Sequence, residues 1–440
     1  MYKLSKYNHF VSYKDKYLIY NSITNTIVPF DIEHKKLIDW YFYNLPEFYD
    51  TSPKLFEKFI KWGFLIESDF NEIDFLKLRN NQEVYYNRYL RITINPTLNC
   101  NMNCWYCTVK ASSVSRADQG MKEEIVDRIL KYFDNKIAYG QIDGIFLDWF
   151  GGEPLLHFDK IINKIGSFVS KKTIANKIDF FHNITTNGYL INREIIRKMD
   201  EINLRNFQIT LDGNEKRHNK IRKHGEQPSF KTIINNIIDI CNLINNPSII
   251  LRINYDKKTL KDISDIIDYF PLEVRKHICV SFQKVFQISK DQNNENEQLI
   301  KNMEIFRNAG FKVRYWAFRP QWYHTCYSDK YAHFVINYDG SIYKCTARDY
   351  SDNLKIGFID ENGVMNLNES KLAKYFSVST FENERCLKCK LLPLCFGPCI
   401  QKTYESNINN EPIECLIEDS EITIETFIIQ EAIKRELIMS

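Results

Sequence analysis

Asn99-Cys100-Asn101-Met102-Asn103-Cys104-Trp105-Tyr106-Cys107 sets three cysteines in the order Cys-x3-Cys-x2-Cys, with no fourth cysteine nearby. Thiolates are the usual protein ligands of a cubic four-iron cluster, so three on one short loop leave one iron without a protein ligand. An open metal position is what a reactive site needs; a closed one is structural or only passes electrons. Buried structural cysteines rarely cluster this tightly.

The rest of the 440 residues surrounds that loop. Lys plus Arg (59) nearly balance Asp plus Glu (56), so no large field attracts nucleic acid or an anionic membrane. The opening Met1-Tyr2-Lys3-Leu4-Ser5-Lys6 lacks a signal-peptide run, and no uninterrupted apolar span is long enough to cross a bilayer. A cytoplasmic chain is expected, and its twelve cysteines are expected to bind metal instead of forming disulfides.

Outward from the loop, strand and helix alternate over residues 88–318. Strands are expected at 90–95, 145–150, 178–185, 207–211, 249–254 and 278–283, and helices at 121–139, 159–173, 192–202, 229–245, 259–269 and 295–309. Six such units call for a parallel sheet, whose ligands bind outside the C-terminal strand ends. The informative residues fall there: Cys100 after the first strand, Gly151-Gly152-Glu153-Pro154 after the second, and Thr185-Thr186-Asn187-Gly188 after the third. Asp212-Gly213 ends the fourth, and Arg252-Ile253-Asn254 lies on the fifth.

Ahead of this, three strand-like runs (10–13, 17–20 and 26–30) precede helical periodicity at 33–43 and again from Ser52, a candidate N-cap, to about 61. Seven of the twelve cysteines follow residue 320, where strands and turns replace the helical pattern.

The cysteine spacing, with an aromatic residue before Cys107, resembles the signature of the radical S-adenosylmethionine (SAM) enzymes. The resemblance implies an α/β fold, a partial (β/α)6 barrel. It implies a [4Fe-4S] cluster on Cys100, Cys104 and Cys107 with SAM at the open iron. Reductive cleavage of SAM to a 5′-deoxyadenosyl radical, which removes a hydrogen from substrate, is the implied chemistry. Gly151, Gly152 and Glu153 resemble the motif holding the SAM amino group, the glycines letting backbone approach a ligand. Asn187 is expected at the methionine or ribose part, Arg222 at the SAM carboxylate, Asn254 on the adenine and ribose side, and Tyr106 against the adenine. No single residue stands out as acid or base; Asp148, His157 and Asp212 lie near strand ends.

In the last third, Cys326 and Cys345 flank Gly340, and Cys386-x2-Cys389-x5-Cys395-x3-Cys399 and Cys415 follow. The spacing is similar to the SPASM auxiliary-cluster pattern. By that resemblance Cys386, Cys389, Cys395 and Cys415 close one auxiliary iron–sulfur cluster, and Cys326, Cys345 and Cys399 hold another. The second set is one ligand short, with His324 and Cys279 as candidates to complete it, so an open or unusually ligated cluster is expected. The strands and helices of 1–85 resemble the winged-helix-like element that recognises leader peptides. The expected domains are therefore 1–85 for peptide recognition, 86–320 for the barrel and 321–440 for the auxiliary clusters. A maturase installing a thioether or carbon–carbon cross-link in a ribosomally made precursor peptide is implied, with ferredoxin or flavodoxin as electron donor. A formylglycine-forming sulfatase maturase is the second reading, and a degenerate peptide-binding scaffold the third.

Overall fold

The structure, a computed structural model, describes residues 1–109, 120–285, 295–314, 318–348, 350–418, 420 and 422–439. Packing divides the chain into two compact units: Met1–Tyr85 with Ala317–Asp329 and Phe376–Ser440, and Tyr86–Trp316 with Lys330–Tyr375.

The first unit begins with β1 (Tyr2–Leu4), β2 (Asn8–Tyr13), β3 (Lys16–Asn21) and β4 (Thr26–Asp31); β5 (Leu65–Glu67) follows three helices, Lys35–Tyr43, Leu45–Thr51 and Pro53–Lys61. β2, β3 and β4 form an antiparallel sheet in that order, and β1 pairs with β5. Lys14, with φ +53, makes the tight turn between β2 and β3. Aromatic residues supply the core. Phe48, Phe59 and Phe64 are fully buried, and Phe59 meets Phe42, Phe48 and Phe64 at ring distances of 5.5, 5.2 and 5.4 Å. Ser52 stands at the N-cap position of Pro53–Lys61 but makes no capping hydrogen bond; its Oγ lies 2.8 Å from the Tyr41 hydroxyl instead.

The same unit carries the C-terminal cysteines. Tyr7 and Leu76 pack with Phe381, Leu392 and Phe396, against which Cys386 also lies. Lys6 Nζ donates to Leu387 O at 2.5 Å, and Arg435 donates to Asn25.

The second unit is built on one 11-stranded sheet. Its parallel part runs through β6 (Tyr89–Ile94), β7 (Gly144–Trp149), β8 (Asp179–Thr186), β9 (Leu204–Leu211), β10 (Ser248–Tyr255), β11 (Ile278–Lys284) and a short β12 (Lys312–Arg314). Alternating side chains divide its faces: Ile249, Leu251 and Ile253 are fully buried, whereas Arg252 is part-exposed and Asn254 polar. The six strands expected from sequence are present, with helices Glu123–Ala138, Lys164–Asn176, Arg193–Glu201 and Phe230–Leu243 between them.

Two local expectations change. The 259–269 helix is α-helical only over Thr259–Asp262 and 3-10 over Ile263–Tyr269. Asn302 Nδ2 takes the Leu260 carbonyl at 2.7 Å, an acceptor the α-helix needs for its next turn. On the other side of β6, β13 (His333–Ile336) adds in parallel and continues antiparallel through β14 (Ser341–Tyr343), β15 (Gly357–Ile359) and β16 (Met365–Leu367). Residues 330–375, read from sequence with the auxiliary region, therefore pack as an extension of the barrel sheet. Among the described residues no helix is long and apolar enough to cross a membrane.

Phe59→Ala should open the first unit locally, at about 3–5 kcal/mol for emptying a fully aromatic site. Hydrogen exchange of β3 and the 53–61 helix should then accelerate by about a hundredfold or more. Unchanged exchange would mean that the cluster does not hold these elements.

Candidate active site

The second unit gathers its polar residues where the parallel strands end. β6 leads into Thr97–Asn99 and then Cys100, and the turn after β7 closes against that segment. Gly152 N donates to Thr97 O at 2.9 Å and Glu153 N to Asn99 O at 2.8 Å. A Cβ on Gly151, whose φ is +114, would run into Thr97 O, and one on Gly152 into Asn99 O and Leu98 O. The glycine pair thus brings the turn against the chain that carries Cys100. Approach to a ligand, the reason read from sequence, is not what this geometry requires of it.

Glu153 is fully buried. Its carboxylate accepts from Leu155 N at 3.1 Å, Thr186 Oγ1 at 2.7 Å and Asn187 N at 2.8 Å, tying the ends of β7 and β8 together. Burial raises its pKa, and these three donors oppose the rise. Asn187 Nδ2 donates to Asn101 Oδ1 at 2.7 Å and lies 3.9 Å from Cys100 Sγ. Asn101 Nδ2 is buried without a partner among the described residues.

The three loop thiols share one neighbourhood. Burial pushes the Cys100 thiol up to about 11, and the charges of Cys104 and Cys107 push in the same direction. Burial also raises Cys104, while the Arg222 guanidinium opposes that. Cys107 packs on an apolar cluster containing Leu98, Tyr343 and Tyr350. Beside the loop is an open cleft of about 600 Å³, lined by Cys100 to Asn103, Lys220, Ile221, Lys223, Gly225 and Glu226.

Tyr106 and Arg222 meet on Asp212, and Asn254 joins them through the Tyr106 hydroxyl. The Tyr106 hydroxyl donates to the Asp212 carboxylate at 2.6 Å and accepts from Arg222 Nη2 at 2.8 Å and Asn254 Nδ2 at 3.0 Å. Arg222 Nε donates to Asp212 Oδ2 at 2.5 Å, leaving Nη1 uncommitted among the described residues. Behind this group, His218 Nδ1 accepts from Asp212 N at 3.3 Å, and Nε2 lies 3.0 Å from Ser229 Oγ, which donates to Arg222 O at 2.5 Å. Burial pushes His218 down to about 3, so it is neutral, and the hydrogen bonds assign its proton to Nε2. Nothing in the sequence flagged His218 or Ser229. Their spacing of eleven residues has no periodic meaning; the turn between them creates the contact.

The other acid–base candidates separate. Asp148 is held by Arg91 Nε at 2.6 Å and Nη2 at 3.2 Å and accepts from Asn183, which makes it part of an ion pair. His157 ends a short 3-10 turn, and burial lowers its pKa. Asp212 belongs to the Tyr106–Arg222 network.

In the first unit, Cys386, Cys389, Cys395 and Cys415 come together: burial pushes Cys395 up to about 12, with Cys389, Cys386 and Cys415 adding their charge. Backbone N–H groups two residues on reach the sulfurs of Cys389 and Cys395 at 3.3 Å, and Ala347 N does the same for Cys345. Such donors stabilise thiolates and tune clusters. Asp329, buried and overlooked in the sequence, accepts from Thr325 N and Cys326 N and from Ile400 N next to Cys399. Cys326 and Cys399 lie in the first unit, Cys345 in the second. Of the two candidates for the missing ligand, His324 directs Nδ1 to Trp322 O at 2.5 Å, and Cys279 lies on β11, seven strand positions from β14, the strand before Cys345.

These donor sets fit iron–sulfur clusters: three adjacent thiols without a carboxylate competitor on the loop, beside an orphaned buried amide, and a separate group of four thiols.

Asp212 and Arg222 are each about nine-tenths buried or more. Asp212→Asn strands a guanidinium and should cost about 3–5 kcal/mol. Adding Arg222→Met should recover part of that in chemical denaturation, and strictly additive losses would contradict the pairing.

The Radical SAM superfamily model matches residues 94–270, and an iron–sulfur cluster-binding domain model of the SPASM type matches residues 326–390. A cysteine-type anaerobic sulfatase-maturating enzyme of Clostridium novyi is 26% identical over 352 residues, covering 73% of this chain and 90% of the relative. Radical SAM cyclopropyl synthase TigE of Paramaledivibacter caminithermalis is 24% identical over 456 residues, covering 91% and 90%. Native anSMEcpe with bound AdoMet superposes with a TM-score of 0.58 at 20% identity, covering 79% of this chain and 98% of that one. The cysteine loop and the strand-end residues thus lie in a radical SAM domain, Cys326, Cys345, Cys386 and Cys389 lie in a SPASM iron–sulfur domain, and the chain carries the one followed by the other.

Proposed function

We propose that this chain is a peptide maturase that abstracts hydrogen from a ribosomally made precursor and installs a thioether or carbon–carbon cross-link. The observation that carries the reading is the sheet-and-helix module at residues 1–85, folded into one compact unit with the segment bearing Cys386, Cys389 and Cys395. β2 and β4 are the edges of its sheet. β4 carries Pro29, which lacks an N–H, so β2 is the better edge for an added leader strand. The match to TigE extends over 91% of the chain, which accommodates the module, and the anSMEcpe fold has been seen with a bound peptide, Cp18Cys.

When bound, the reduced four-iron cluster and SAM supply the 5′-deoxyadenosyl radical that takes a hydrogen atom from substrate. The chain's own part is to bind, orient and exclude water. Cys100, Cys104 and Cys107 hold the cluster. Glu153 has accepting capacity for an ammonium beyond its three present donors. Arg222 offers Nη1 to the SAM carboxylate, with Asp212 and Tyr106 fixing its plane. Asn187 and Asn254 serve the methionine and adenosine sides, Tyr106 the adenine. Cys386, Cys389, Cys395 and Cys415 close one auxiliary cluster. Cys326, Cys345 and Cys399 would hold a second, one protein ligand short, which would leave a position for a substrate cysteine thiolate, and ferredoxin or flavodoxin would supply the electron. Residues 1–85, 86–320 and 321–440 are the corresponding functional modules.

The sulfatase-maturating relative supports a second reading, formylglycine formation on a protein motif. Coexpression with each short open reading frame found in the neighbouring genes, followed by mass spectrometry, separates the two. Loss of two hydrogens per event is expected; loss of cysteine sulfur with gain of an aldehyde would favour the second. Cys104→Ala should abolish 5′-deoxyadenosine formation, and continued formation would exclude both readings.

A further inference from the structure

The inner face of β10 to β12 carries more positive charge than the SAM site uses. The parallel register sets Thr210, Arg252, Ser281 and Arg314 in one row across four strands, so the two arginines flank Ser281 on a common face. Ser281 is 2% exposed and each arginine part-buried. Arg252 has one hydrogen bond, Nε to Asn254 Oδ1 at 2.8 Å, and Arg314 has no hydrogen bond or ion pair among the described residues. Asp212, the carboxylate whose charge favours that of Arg252, is already engaged by Arg222 and Tyr106. Arg222 and Arg252 therefore depend on one carboxylate, and Arg314 has none among the described residues. Burial lowers the pKa of both Arg252 and Arg314; at Arg252 the charges of Arg222 and Arg314 add to the lowering while Tyr106 and Asp212 oppose it, and at Arg314 the Cys279 thiol opposes it.

Two like charges partly withdrawn from water, neither with an ion pair among the described residues, destabilise the folded chain. Packing gives no reason to keep them, because Leu or Met would fill the same positions. A guanidinium pair suits a planar anion that accepts from both forks. With Arg222 assigned to the SAM carboxylate, the second anion must come with the substrate.

We propose that Arg252 and Arg314, on either side of Ser281, form a subsite that takes a carboxylate of the substrate peptide; this rests on the peptide-maturase reading above. An Asp or Glu side chain and a C-terminal carboxylate present the same chemistry. Contact with Asn254, and through it with Tyr106, ties the subsite to the SAM pocket and would fix which residue faces the radical.

Calorimetry on the anaerobic, SAM-loaded holoprotein at low salt tests it with three probes: N-acetylglutamate α-amide, N-acetylalanine, and neutral N-acetylglutamine amide. One of the acids should bind about tenfold or more tighter than the neutral probe, and which acid does so identifies the source of the carboxylate. Arg314→Gln should erase that preference, and Arg314→Lys should keep part of it. SAM affinity should stay within about twofold, and the melting temperature of Arg314→Gln should hold or rise, because repulsion is relieved. Equal binding of acid and amide, or a clear loss of SAM affinity in Arg314→Gln, would overturn the proposal, the latter by giving the pair to SAM. A melting temperature lowered by several degrees would do so too, since Arg314 would then have a structural partner. If Arg314→Gln still modifies peptide with wild-type KM, the subsite fails and the maturase reading stands. If acid selectivity is present in a chain that modifies no peptide, the reverse holds.

Discussion

The turn after β7 closes on the chain leading to Cys100, and the rest of the site depends on that contact. Two residues without Cβ let Gly152 N and Glu153 N bond the Thr97 and Asn99 carbonyls directly. The Glu153 carboxylate, sealed from water, then binds the backbone beginning the next turn and Asn187. Asn187 in turn reaches Asn101, inside the cysteine loop. A loop of short polar residues would otherwise be free to move. Here it is fixed from the C-terminal ends of two adjacent strands, β7 and β8, which is what a three-thiol cluster needs if one iron is to stay open in a constant direction.

The Asp212 group is a second fixed point. Its members come from the cysteine loop, the end of β9, the turn after the Glu215–Ile221 helix, and β10. A neutral His218 holds it from behind. Such networks are costly when incomplete and rigid when complete, so an arginine aimed at an anionic group is preorganised before any ligand arrives.

Much of this was legible in the sequence because strands and cysteine loops have short periods and short spacings. The run Leu251-Arg252-Ile253-Asn254 alternates apolar and polar residues as a half-buried strand does, and Cys100, Cys104 and Cys107 define their loop without help from the fold. What stayed hidden depends on contacts between distant residues. Tyr106 and Asp212 are 106 residues apart and read in the sequence as an adenine neighbour and an acid–base candidate near a strand end. The purpose of Gly151 and Gly152 is visible only once Asn99 lies against them. β13 was assigned with the auxiliary region because nothing local in His333–Ile336 says that it pairs beside β6. Asp329 joins Cys326 to the helix after Cys399 across 71 residues, a closure no local pattern encodes.

The first unit brings peptide-recognition-like elements and auxiliary-cluster thiols into one core, through Tyr7, Leu76 and Phe396. The central claim, however, concerns the cysteine loop: three thiols leave one iron for SAM. Electron-nuclear double resonance on the reduced protein with 15N- and 17O-labelled SAM tests it most directly. Coupling of the cluster spin to both the amino nitrogen and the carboxylate oxygen is predicted. A spectrum identical to that with unlabelled SAM would contradict it.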